Sequence, residues 1–484
     1  MNVLCIYSLT TYSLKKELYS PGDIPFGISY IATVLKKAGH NVKLVVLTPT
    51  TKLQKKFSRL FQNFPPDLIC LTSVSSQLPL IKKAGSVLRQ MVPKAFIIMG
   101  GVHTTLNPDE VIAFDFVDAI CIGEGEEAVI QLAEQIENGI HPSCIQNLWI
   151  KKTHSESDIE KNPLRPFRKD LDSLPFIDRE MWEPFISNKK GMIYTVLAGR
   201  GCPNRCTYCS NHALARITNG KYVRFRSPEN IIAEIDELVR KDPLVETVFF
   251  EIETLGANLD YTYELLSKVA RFNASLQRPL RFGTNLALNT HIKNNARLLK
   301  AFKEANLIFF RIGLESGSEK IRREVLKRPR YRNNDLIEFC RMARKMGIKY
   351  TINILIGLPG ETPEDFQKTI EVTRACKPTY GIAANIFYPY PGTELHQVCI
   401  ERQLITPKAA HSFYERTDTV LYMPYFPPWK IRKEFILSYY NVFKGRKPWS
   451  DIAARTLRYS LDSFPSAKRN ISRLVHLAAS LIRR

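Results

Sequence analysis

Short apolar runs alternate with amphipathic stretches along most of this chain. Met1 to Tyr7 is a strand-like apolar run. Phe26 to Ala38 has helical periodicity and stops at Gly39. Val42 to Leu47, Pro66 to Leu71, Ala95 to Met99 and Phe116 to Ile122 predict four more strands. Helices are expected over Leu80 to Met91 and up to about Ile136. Strand, loop and helix repeating at this spacing predict an α/β domain built on a doubly wound parallel sheet. Such sheets bind ligands beyond the carboxyl ends of their strands. Three loops fall at that edge: Thr72-Ser-Val-Ser-Ser-Gln77, Gly100-Gly-Val-His103 and Gly123-Glu-Gly-Glu-Glu127.

The pattern then breaks and restarts. Residues 145–190 read as a linker, polar from Lys151 to Glu160 and interrupted by Pro163, Pro166, Pro175 and Pro184. From 191 the alternation resumes, with strands near 192–198, 247–252, 281–286, 307–313, 349–357 and 381–387. Six βα units predict a partial (β/α)6 TIM-like barrel with its chemistry at the carboxyl ends of the strands. Residues 410–484 read as a C-terminal helical extension. Trp429 to Lys444 is one helix, and Ala467 to Arg484 is a basic amphipathic one suited to docking on its own domain or on an anionic membrane. The expected boundaries are therefore 1–144, 145–190, 191–409 and 410–484.

Composition narrows the classes. Ten cysteines in 484 residues are too few for a disulfide scaffold, and no 18-residue apolar stretch predicts a spanning helix. Met1 leads straight into an apolar strand without a basic leader, so a reducing cytoplasm is the expected compartment. The net charge of +22 suits an anionic partner: nucleic acid, the inner face of a membrane, or an acidic substrate. It also suits nothing more than solvated faces. No appended RNA-binding module is visible, which argues against nucleic acid.

The chemistry concentrates at Cys202, Cys206 and Cys209, spaced C-x3-C-x2-C just after the apolar run Met192 to Ala198. Three thiolates at this spacing can ligate three irons of a 4Fe–4S cluster and leave the fourth iron open. A zinc site completed by His212 is the alternative. The spacing, with Tyr208 before the third cysteine, resembles the cluster loop of radical S-adenosylmethionine (SAM) enzymes. Further segments match that family in order: Arg224-Phe-Arg-Ser-Pro-Glu229, Gly313-Leu-Glu-Ser-Gly-Ser318, Gly357-Leu-Pro-Gly-Glu-Thr362 and Tyr388-Pro-Tyr-Pro-Gly-Thr-Glu-Leu395. The N-terminal third resembles the cobalamin-binding domain of one branch of these enzymes, through Pro25-Phe-Gly-Ile-Ser-Tyr-Ile-Ala32, Pro66-Asp67, Gly100 to His103 and Ile122 to Glu126.

The resemblance implies a 4Fe–4S cluster, SAM and cobalamin. It implies SAM contacts from Tyr208, Glu253, Glu315, Ser316, Gly357 and Pro359. It implies cobalamin contacts from Thr72, Ser73, Ser75, Gly100, Gly101, His103, Gly123, Glu124 and Gly125. The D-x-H-x-x-G loop that supplies a cobalt-ligating histidine in many cobalamin proteins is absent after the first strand, so cobalamin without that ligand is implied. His103 can contact the cofactor or cap local backbone, and Glu124 and Glu126 can be first-turn acids favoured by a helix dipole. The implied reaction is methyl transfer to an unactivated carbon of a small molecule or lipid, fed by an external flavodoxin- or ferredoxin-like donor. Non-methylating cyclisation, rearrangement or coupling, and RNA modification, are the alternatives.

Overall fold

The computed structural model describes residues 1–9, 18–152, 158–189, 191–293, 295–405 and 415–463. The chain packs as two compact units. Met1–Gly201 with Ser210–Val245 forms the first, and Cys202–Cys209 with the residues from Glu246 onward forms the second.

The first unit is built on β1 (Asn2–Ser8), β2 (Asn41–Leu47), β3 (Leu68–Thr72), β4 (Phe96–Gly100), β5 (Ala119–Cys121), β6 (Leu148–Lys151) and β7 (Ile159–Lys161), in the order β2-β1-β3-β4-β5-β6-β7. The first five pair parallel. Alternate residues feed two cores. Val3, Cys5, Leu68 and Cys70 face one side with Leu35 and Leu132, while Leu4, Ile6, Ile69 and Leu71 face the other with Phe57 and Ile81. Both faces are covered, so the strands read as continuous apolar runs.

The segment expected to be a linker behaves differently from that reading. It contains β6 and β7, which add antiparallel to β5 and make the sheet mixed rather than wholly parallel. Its polarity comes from an edge position. Leu148 and Ile150 are buried in one core and Trp149 packs half-buried against the other, with the Lys161 ammonium 3.9 Å over its ring. The buried Lys151 donates to Phe114 O at 3.0 Å. Strands of four and three residues are too short to give the apolar run by which the other strands were recognised.

The first unit also holds β8 (Ile193–Leu197) and the short antiparallel pair β9 (Gly199–Arg200) and β10 (Arg224–Phe225). The helix Pro228–Lys241 follows, and the Ser227 hydroxyl caps it by accepting from Asn230 N at 3.1 Å.

The sheet of the radical SAM-like region has six strands, one per expected βα unit. Five lie in the second unit and pair parallel: β11 (Thr247–Glu251), β12 (Arg281–Leu286), β13 (Leu307–Glu315), β14 (Lys349–Ile356) and β15 (Gly381–Ile386). One face is a file of rings under the helices. Phe250 stacks on Phe282, and Phe310 packs against Tyr350, Phe302 and Phe339. The opposite face sets polar groups beside the rings of Phe249 and Phe309: Glu251, Asn285, Thr351, Asn353 and Asn385 are half-buried and Arg311 is exposed.

The expected helix near Trp429 is present as Pro428–Phe443, and a further helix, Trp449–Ser463, packs beside it. The basic amphipathic segment Ala467 to Arg484 lies outside the described residues. Among the described residues no helix is long and apolar enough to cross a membrane.

Candidate cofactor sites

The cluster loop is pinned by its neighbours in the second unit. Thr207 N donates to Leu326 O at 3.1 Å, Thr207 Oγ1 donates to Val325 O at 2.6 Å, and Leu395 N donates to Thr207 O at 2.9 Å. Cys206 is buried, Cys202 and Cys209 are half-buried, and all three are reduced thiols. Beside them lies a residue that the sequence reading missed. Arg328 donates to Tyr208 Oη at 2.9 Å and to Gly313 O at 2.8 Å, and its guanidinium stands 4.0 Å from Cys206 Sγ and 3.7 Å from Glu315 Oε1. In the sequence it is one basic residue in a run of them, with nothing to mark it; only the fold brings it to the thiols.

Burial pushes the Cys206 thiol up, opposed by Arg328 and assisted by Glu315. Cys202 is pushed up to about 12, mainly by burial and then by the neighbouring thiols and Glu253. Such thiols give up their protons on binding a metal, and a fixed guanidinium offsets the negative charge that results. Among the described residues no three His, Cys, Asp or Glu side chains converge on a single metal ion. His212, the alternative fourth zinc ligand, turns its Nε2 towards the Arg216 guanidinium. Three reduced thiols in one pinned loop, next to a buried cation, fit a 4Fe–4S cluster with one open iron better than a closed zinc site.

The other expected SAM contacts surround this loop unevenly. Tyr208 packs against the apolar cluster of Leu358, Phe387 and Leu395. Glu315 is buried in the left-handed region at φ 63°, and burial raises its carboxyl against the pull of Arg328. Ser316 Oγ accepts from Ser318 N, and Ser316 O accepts from Arg322 at 2.7 Å. Gly357 sits at φ +81° and donates its N–H to Glu361 Oε2 at 2.7 Å, with buried Pro359 in the same turn. Glu361, also missed in sequence, is 1% exposed, and burial raises its carboxyl to about 8. Glu253 is exposed at the end of β11. Two residues earlier, Glu251 is raised to about 7 by burial and by the charge of Glu253, against Arg311.

In the first unit the three expected loops meet. Ser73 N donates to Gly100 O at 3.1 Å, His103 N donates to Ser73 O at 3.2 Å, and Gly123 N donates to Thr105 Oγ1 at 3.0 Å. Gly101, at φ +101°, lies so close that a Cβ there would stand 2.6 Å from Ser73 O and 2.8 Å from Thr72 Oγ1. His103 is buried with Nδ1 3.1 Å from Ser75 Oγ and Nε2 3.3 Å from Glu110. The hydroxyls of Ser8, at the end of β1, and Ser73, after β3, are buried without a hydrogen-bond partner among the described residues. Unsatisfied hydroxyls on the two strands flanking the switch point fit a polar ligand lying across that edge.

The Glu124 side chain is occupied inside the fold. It accepts from Arg168 N at 3.0 Å and from the guanidiniums of Arg200 and Arg224, both at 2.9 Å. Burial raises its carboxyl, but the two arginines outweigh this and hold it at about 2. Glu126 pairs with the same Arg200 at 2.6 Å. Gly125, which precedes the helix Glu126–Glu137, packs closely on Cys121 and Ile31.

Residues 196–373 match the Radical SAM superfamily, and residues 23–133 match the B12 binding domain. The chain is an enzyme that carries a radical SAM domain and a B12-binding domain. It is 23% identical to the uncharacterized methyltransferase PH0819 of Pyrococcus horikoshii, over 92% of each chain. It is also 23% identical to the anaerobic magnesium-protoporphyrin IX monomethyl ester cyclase of Cereibacter sphaeroides, over 77% of this chain and 60% of that one. The fold matches that of the radical S-adenosylmethionine methyltransferase TsrM of Kitasatospora setae with TM-score 0.65 at 16% identity, over 83% of this chain and 76% of that one.

Proposed function

We propose that the protein is a cobalamin-dependent radical SAM methyltransferase acting on an unactivated carbon of a small-molecule or lipid substrate. The observation that carries this reading is the pairing of a pinned three-thiol loop beside Arg328 with a B12-binding domain whose sheet edge keeps two buried, unsatisfied hydroxyls. The methyltransferase names of PH0819 and TsrM support it. When bound, the cluster with SAM supplies a 5′-deoxyadenosyl radical and cobalamin supplies a methyl carrier.

The protein's own residues hold and orient. Cys202, Cys206 and Cys209 take the cluster, and Arg328 offsets its charge. Glu253 attracts the SAM amino group, while Tyr208, Glu315, Ser316, Gly357 and Pro359 shape the rest of the SAM site. Thr72, Ser73, Ser75, Gly100, Gly101, His103, Gly123, Glu124 and Gly125 form the cobalamin edge, chiefly through backbone and hydroxyl groups. An external flavodoxin- or ferredoxin-like protein delivers the electron in the cytoplasm, and the basic C-terminal segment offers a peripheral membrane contact.

The cyclase of Cereibacter sphaeroides supports a second reading, a cobalamin-dependent ring closure without methyl transfer. One assay separates the two. Protein purified anaerobically and reconstituted with iron, sulfide and cobalamin is incubated with SAM and a reductant. Formation of both 5′-deoxyadenosine and S-adenosylhomocysteine is the expected result. Deoxyadenosine without S-adenosylhomocysteine favours the cyclase-like reading, and neither product from cluster-loaded protein refutes both.

A further inference from the structure

Arg311 belongs to no motif, yet its position is unusual. It lies in the middle of β13, where register places it beside Asn285 of β12 and Thr351 of β14. Its side chain is on the face of the sheet opposite the helices, because its neighbour Phe310 packs into the helical layer against Phe302 and Phe339. The guanidinium lies 4.6 Å over the Phe249 ring. It is exposed and has no hydrogen-bond partner among the described residues. Most arginines described in this unit are otherwise employed. Arg322, Arg328, Arg374 and Arg416, for example, donate to carbonyls or hydroxyls.

The surroundings set polar groups around an aromatic base rather than leaving a stray surface charge. Phe249 and Phe309, 5.7 Å apart, close the sheet beneath it, with Tyr380 stacked on Phe309 below. Alongside, Glu251 accepts from Asn285 Nδ2 at 3.3 Å, and the same amide donates to Ile252 O at 3.1 Å. Asn353 and Asn385 are on the same face by register, nearer the carboxyl ends of the strands, and their amides also lack partners among the described residues. An aromatic base, one uncommitted guanidinium, one carboxyl and two uncommitted amides are the elements of a polar small-molecule site. They suit an anion flanked by hydrogen-bonding groups and are a poor fit to a bare hydrocarbon, which would leave all of them desolvated and unpaired.

We propose that Arg311 anchors a carboxylate or phosphate of the substrate on this face of the sheet, with Glu251 and Asn285 receiving a neighbouring donor group. The proposal rests on the reading of this sheet as the reaction domain, and it makes the substrate a polar anion rather than a neutral lipid. SAM also carries a carboxylate, so the two sources must be told apart.

The test uses the reconstituted full-length enzyme and two small anions, benzoate and phenyl phosphate, with benzamide as the neutral match. Calorimetric titration is run with and without saturating SAM. One of the anions is expected to bind at least tenfold more tightly than benzamide and to keep its affinity when SAM is present. Arg311→Gln is expected to weaken that anion at least tenfold, with Arg311→Lys intermediate and with a smaller change for SAM than for the anion. Equal binding of anions and benzamide overturns the proposal. So does displacement of the anion by SAM together with an equal loss of SAM affinity in Arg311→Gln, which makes Arg311 the SAM carboxylate ligand instead. If the same cluster-loaded preparation makes no 5′-deoxyadenosine, the functional reading fails while the binding result still stands.

Discussion

Two acids at comparable places in the two units behave in opposite ways. Glu124 follows the last parallel strand of the N-terminal sheet, and Glu251 ends the first strand of the second unit. Both are half-buried. Glu124 meets two guanidiniums and a backbone N–H and stays ionised down to about pH 2. Glu251 meets another acid and a distant arginine and is raised to about 7. The first edge has its charges neutralised internally and offers glycine backbone and hydroxyls. The second sets thiols and carboxyls beside the guanidiniums of Arg328 and Arg311. An edge of the first kind holds a large polar cofactor by shape and backbone, whereas one of the second kind interacts by charge.

The largest effect expected is at the thiols. Replacing Cys202, Cys206 and Cys209 together by alanine should abolish iron loading and reduce 5′-deoxyadenosine to background, with the far-ultraviolet circular dichroism unchanged. Loss of secondary structure as well would make the loop a folding element of the second unit. Next, Arg328→Met removes one partner of a buried ion pair and strands Glu315. It should cost about 3 kcal/mol in urea denaturation and lower the iron content. Wild-type stability and loading would remove Arg328 from the site.

The first edge is tested through pH. The Glu124 carboxyl is held below its unfolded value of 4.5, so its stabilisation is complete above that pH and is lost as pH falls towards 2. The depression corresponds to about 3 kcal/mol, so Glu124→Gln should lose that much at pH 7 and little at pH 2. A pH-independent deficit would point to packing instead.

Glu361 carries the opposite sign. Its carboxyl is raised to about 8 by burial, so the folded state keeps its proton while the unfolded state releases it, and stability falls as pH rises from 4.5 to 8. Glu361→Gln keeps an acceptor for Gly357 N and Leu358 N. It should flatten that slope, leaving the variant more stable than wild type at pH 8 in thermal or urea melts. A slope identical to wild type would place the ionised form in the fold.

Strand runs such as Val42 to Leu47 and 281–286 were legible because burial on one or both faces writes itself into apolar spacing. The hairpin of β6 and β7 was not, because strands of four and three residues are too short to show a periodicity. Likewise, Arg311 lies two residues from the buried ring of Phe309, and Asn285 and Asn353 lie three from those of Phe282 and Tyr350, on strands read as ordinary. Nothing along the chain distinguishes a polar residue facing a cleft from one facing solvent. The cysteine spacing was legible because three ligands of one cluster must come from a loop short enough to wrap it.

The sequence by itself determined the alternating βα plan, the reduced thiol loop and the two domain resemblances, since these depend on periodicity and on residues close together in the chain. Only the tertiary structure decided that Arg328 reaches Cys206 across more than a hundred residues, that Arg200 and Arg224 commit Glu124, and that Arg311 lies over Phe249 without a hydrogen-bond partner among the described residues. Whether a charge is paired depends on what other strands bring to it. That is settled by packing, and with it the difference between a residue that supports the fold and one left available for chemistry.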